Sequence, residues 1–174
     1  MALSKIDAAN FLTGTIPQGN VANASLNAVT SLPAGVGGKV LQVVQGTPDT
    51  TVRESNSTSF VTASNTIFVN ITPSATSSKI YVLASGGAYG STATYNSLFT
   101  IYRDSTNLST DSYNIVRTND DNSYGNYCMS FLDSPSSTSQ IKYQVYFKSE
   151  GSANTIRLNS NGTQGLITAF EIAG

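Results

Sequence analysis

The chain has 174 residues and a formal net charge of −1, and only 11% of its residues are charged, well below the roughly 25% of an average domain. No basic block stands out, which argues against electrostatic capture of nucleic acid or an anionic membrane. With no histidine and a single cysteine, a Ser-His-Asp triad, an intrachain disulfide and a cysteine-based zinc site are excluded.

About a third of the chain is Ser, Thr or Asn, so its surface is built from hydroxyls and amides rather than ions. The opening MALSKIDAANFLTG does not read as a secretory signal, because Lys5 and Asp7 interrupt it and no apolar core follows. No stretch approaches the roughly 20 apolar residues of a membrane-spanning helix.

In chain order, Ser4 with Asp7 three positions on resembles a capping box. The pattern predicts a short helix over 5–12, ended by Gly14. Aliphatic residues then recur at Leu12, Ile16, Val21, Leu26, Val29 and Leu32, with gaps of 4, 5, 5, 3 and 3. These gaps fit neither a helix nor a strand period, and Pro17, Pro33 and the Gly35/Gly37/Gly38 cluster break any long element. Residues 1–36 therefore form an arm that cannot build a core alone. It is either a leader without order or a segment that orders against partners, and the regular placing of large aliphatics favours the second.

From Lys39 onward the pattern is β. Strands are predicted over 39–46, 50–54, 66–72, 79–85, 97–104, 113–118, 126–132, 140–148, 155–159 and 165–172. The clearest is 140–148, where Ile141, Tyr143, Val145 and Phe147 alternate with Lys142, Gln144, Tyr146 and Lys148. Between the third and fourth strands, Pro73 ends one strand and Ser74–Ser78 read as a surface turn. This series predicts an all-β fold, an antiparallel jelly-roll-like β-sandwich over 39–174 with an extended N-terminal arm over 1–36. The strands 39–46, 79–85 and 97–104 are apolar on both faces. One face serves the core and the other needs cover, from a neighbouring subunit or from the arm.

Little in the chain points to catalysis. Its ten acidic residues fall mostly at strand ends or turns, as Asp49, Asp104, Asp111, Asp133 and Glu150 do. A glycosidase would need two carboxyls facing each other across a cleft at about 5–10 Å. Asp120-Asp121-Asn122 lacks the alternating spacing and distal Glu of a calcium loop. Cys128 sits in an alternating strand and reads as a small packed residue. No catalytic, metal or cofactor site is expected.

GGAYGSTATYNS (86–97) has no Lys and matches no phosphate loop. Its Tyr89 and Tyr95, with Tyr113, Asp120, Asp121, Tyr124 and Tyr127 of the later segment, sit among Gly, Ser and Asn. That is the chemistry of adaptable recognition loops. These tyrosines either roof the ends of the sandwich or form a receptor site for a glycan or a protein.

GKVLQVVQ, SNTIFVNITPSATSSKIYVLASGG, the closing TAFEIAG and the arm FLTGTIPQGNVANASLNAVTSLPAG resemble stretches of virion structural and tail-fibre proteins of tailed bacteriophages, marine ones especially. The likeness covers most of the chain and is densest over 12–46 and 66–87. The resemblance implies a homotrimer, assembled in the host cytoplasm and displayed on the virion surface as a tail fibre, head fibre or capsid decoration. Its arm would dock to other capsid or tail proteins, and its knob would project toward the host. The competing class is a carbohydrate-binding, lectin-like module acting as a receptor-binding tip.

Overall fold

The computed structural model describes residues 39–92, 94–109, 115–118 and 121–174. The predicted helix, the arm with Leu12, Ile16, Val21, Leu26, Val29 and Leu32, and also Tyr113 and Asp120, lie outside them. Among the described residues there is no helix. Eleven strands run in order: β1 (Val40–Gln45), β2 (Arg53–Ser55), β3 (Phe68–Ile71), β4 (Lys79–Ser91), β5 (Ser97–Arg103), β6 (Thr106–Asn107), β7 (Val116–Thr118), β8 (Asp121–Asp133), β9 (Ile141–Ser149), β10 (Ile156–Leu158) and β11 (Leu166–Ile172).

They make two antiparallel sheets. In the first, β4 is the spine: β8 runs along one edge, β11 and β10 follow each other along the opposite edge, and β1 and β2 lie outside those two. The second sheet has the order β3-β9-β5, with β6 and β7 both on the free edge of β5. The pairs nest: β5 with β7, β4 with β8, β3 with β9 and β1 with β11. The all-β antiparallel sandwich expected from the alternation is what forms.

The inner faces share one core. Ile80, Val82, Ala84, Met129, Ile167 and Leu158 of the first sheet meet Val69, Ile71, Phe99, Ile101, Tyr143, Val145 and Phe147 of the second. Each fully buried aliphatic or aromatic side chain contributes about 1.5–3 kcal/mol, so this layer holds the sandwich together.

Two departures from the sequence reading concern length. β4 continues through Gly86–Ser91 and β8 begins at Asp121, where loops were expected. The glycines do not turn the chain here; they admit close neighbours. A Cβ on Gly86 would come within 2.6 Å of the Tyr127 hydroxyl on the core side, and one on Gly87 would strike Thr163 on the outer side. The third departure is the short β6, which no alternation announces.

Buried polar groups close the seams. The carboxylate of Glu171 accepts from the Ser74 N–H (2.7 Å) and from the hydroxyls of Ser74 (2.6 Å) and Ser78 (2.7 Å). It also accepts from the Gln42 amide at 2.6 Å. Ser74–Ser78 is thus more than a surface turn, because Ser78 is buried and holds a carboxylate. Burial pushes the Glu171 carboxyl up, but these donors outweigh it and lower its pKa to about 2.

Asp133 joins the two sheets, accepting from Arg103 at 2.9 Å and from the Tyr143 hydroxyl at 2.7 Å. Asp49 ties the β1–β2 connection to Thr66 (2.8 Å) and Arg53 (3.1 Å). Asp49 in the β1–β2 connection and Asp133 at the end of β8 lie where the sequence places acidic residues, at strand ends or turns, but both are buried and paired.

Candidate binding surface

The outward face of the first sheet carries two rows of large side chains. The first row runs straight across four strands: Tyr124 on β8 opposes Tyr89 on β4, Tyr89 opposes Arg157 on β10, and Arg157 opposes Glu54 on β2. The two tyrosine rings lie 5.2 Å apart, tilted by 42°. The Arg157 guanidinium sits 5.2 Å from the Tyr89 ring centre, and its Nε donates to Glu54 at 2.6 Å. That hydrogen bond, together with the Glu54 charge, raises the pKa of Arg157.

A bulge fixes the end of the row. The register slips between Gly90 and Ser91, leaving Asn122 unpaired at φ 47°, a conformation Asn tolerates better than most residues. The Asn122 side chain then accepts from the Tyr89 hydroxyl at 2.5 Å.

The sequence singled out Tyr89 and Tyr124, and the structure brings them together, but on paired strands and not on loops. Tyr127 does not join them. Strand alternation turns it into the core, where it stacks on Phe99 at 5.0 Å. Its hydroxyl is buried without a hydrogen-bond partner, and burial, followed by the Asp49 charge, raises its pKa. Tyr95 is half-buried in the β4–β5 connection, where a Cβ on Gly151 would strike its ring. Tyr95 therefore roofs that connection. Asp121 opens β8 opposite Ser91. Arg157 and Glu54 were missed, since short strands 103 residues apart in sequence give no sign of being neighbours.

The second row lies toward the other end of β4 and is apolar. Leu132 on β8, Tyr81 on β4, Phe170 on β11 and Val43 on β1 oppose one another in turn. The rings of Tyr81 and Phe170 are 6.0 Å apart, while Leu132 and Val43 are 50% and 57% exposed. Leu83, Val40 and Leu41 extend this apolar surface. Cys128 is exposed on the same outward face, a correction to its expected packing: Tyr127 and Met129 take the inward positions on either side.

Two further described carboxylates serve the scaffold. Glu150 accepts from the Asn96 amide and faces Arg117, and Asp104 accepts from the Lys142 N–H. Among the described residues no three His, Cys, Asp or Glu side chains converge as a metal site, and no helix is long and apolar enough to cross a membrane. No protein-family model matches the chain, and no curated protein matches it significantly.

Proposed function

We propose that this chain is a non-enzymatic structural protein of the bacteriophage virion surface. It works as a homotrimer, with the arm over 1–36 docked to capsid or tail proteins and the β domain projecting as a knob. The observation that carries this reading is the apolar row Leu132–Tyr81–Phe170–Val43, a four-strand surface that water would solvate poorly and that a neighbouring copy would cover. The nested strand pairs, with β1-β11-β4-β8 facing β3-β9-β5-β7, support a jelly roll, an architecture familiar from capsid and lectin domains. Among the described residues the carboxylates Asp49, Glu54, Asp133 and Glu171 make hydrogen bonds and ion pairs that hold strands together, which also favours a scaffold over a catalyst.

The test is the solution mass of the full chain by light scattering on a size-exclusion column. The expected result is three times the 18.3 kDa chain mass. A monomer at all concentrations would overturn the self-assembling knob.

A further inference from the structure

We infer that the row Tyr124–Tyr89–Arg157–Glu54, with Asn122 beside it, is a platform for a neutral saccharide. The inference does not rest on trimer formation. The platform lies eight residues along β4 from Tyr81, about 26 Å at strand rise. Burial of the apolar row would therefore leave it open.

Three features define the ligand class. The first is an aromatic floor. Tyr124 is 60% exposed on the outward face, and its ring is braced by Tyr89 at 5.2 Å. The C–H face of a sugar ring packs on such a surface without needing charge.

The second feature is a set of unspent polar groups at the rim. Arg157 uses Nε on Glu54, which leaves its two terminal nitrogens with donors to spare on a side chain that is 42% exposed. Glu54 uses one oxygen, and Asn122 uses only its carbonyl oxygen. Adjacent sugar hydroxyls each need one donor and one acceptor, and a guanidinium beside a carboxylate supplies both.

The third feature is local neutrality. Arg157 is paired with Glu54, so an anionic ligand would meet a repelling carboxylate next to the attracting cation. The floor is also held before any ligand arrives, by the Tyr89–Asn122 hydrogen bond and by Arg157 against the Tyr89 ring. Little ordering cost is left for binding.

The full-length chain is applied to an array of neutral oligosaccharides of glucose, galactose, mannose and N-acetylglucosamine, with sialylated and sulfated glycans alongside. Titration calorimetry with the best neutral ligand follows. Binding to neutral glycans is expected. Tyr124→Ala should weaken it about tenfold or more, while Tyr124→Phe keeps it within roughly threefold. Both variants should melt with the parent, since the side chain is exposed. Silence across the array, binding of anionic glycans alone, or an affinity unmoved by Tyr124→Ala would each overturn the inference. None of these results bears on the solution mass that tests the trimer, so the two readings can fail separately.

Discussion

The outer faces of the two sheets make opposite bargains with water. On the second sheet, Tyr102 and Tyr146 stack at 3.9 Å, and Phe60, from the connection before β3, meets Tyr102 edge-on at 6.3 Å. Lys148 lies over the Phe60 ring and Lys142 over Phe68, each at 4.7 Å. Gln144 is buried beneath Asn65, donating to its carbonyl at 2.9 Å, and Leu98 is only 8% exposed. On the first sheet, nothing among the described residues does this for Leu132 or Val43. Strands β4 and β5 look alike in sequence, apolar on both sides. A two-faced strand therefore states that cover is needed but not who supplies it. The chain's own connection serves β5, while Leu132 and Val43 of the row through β4 stay half exposed or more among the described residues.

The largest effect is expected where a buried carboxylate of the first sheet holds the connection from β3 to β4. Glu171 is 1% exposed, with a pKa of about 2 in the fold against an ordinary 4.5. A lowered folded pKa means that the stabilisation is fully present above about pH 4.5 and is lost as pH falls toward 2. Glu171→Gln should cost on the order of 3 kcal/mol at neutral pH and lower the melting temperature by roughly 6–12 °C. It should also flatten the acid limb of the stability curve. Thermal melts of both proteins at a series of pH values check this. An unchanged acid limb would show that other carboxylates carry it, Asp49 first among them, since its pKa is also lowered, with burial outweighed by the Thr66 and Thr51 N–H groups and Arg53.

The middle effect is expected on the roofed face. Phe60→Ala should uncover the Tyr102–Tyr146 stack and cost about 1–2 kcal/mol, less than a fully buried phenylalanine because Phe60 is only half-buried. Denaturant unfolding measures the loss, and the solution mass should not move. A change in mass would mean that the second sheet also serves assembly.

Periodicity made the repeating parts of this fold legible. β9 alternates cleanly, and β3, β5 and β11 fall inside their expected ranges because one face of each is core, as does β1, which sets only Val44 against it. What escaped were arrangements decided by contacts distant in sequence. Gly86 and Gly87 look like a turn, yet each makes room for a side chain more than forty residues away. Ser78 looks like surface until Glu171, 93 positions on, takes its hydroxyl. The tyrosines were legible as a group. Which of them faces outward depended on the register of β8 against β4, and that register turns Tyr124 out and Tyr127 in.

The smallest effect on stability is expected on the bare face, and there the comparison is tested most directly. Val43 and Leu132 stand at opposite ends of the apolar row, on edge strands, with half or more of each side chain in water. Replacing both, Val43→Lys with Leu132→Lys, removes little that the monomer buries. Its unfolding free energy at high dilution should stay within roughly 0.5 kcal/mol. Two lysines per copy would be buried without partners if that face met a neighbour, a cost no standard interface absorbs. The expected outcome is a melting curve close to the parent's and a mass reduced from that of the proposed trimer to that of a monomer. Should the mass hold while the protein stays folded, the row is not the contact between copies, and the cover for the first sheet would have to come from a different protein. Should the monomer itself unfold, the row is part of the fold's own stability, and the contrast between the two faces would be one of degree.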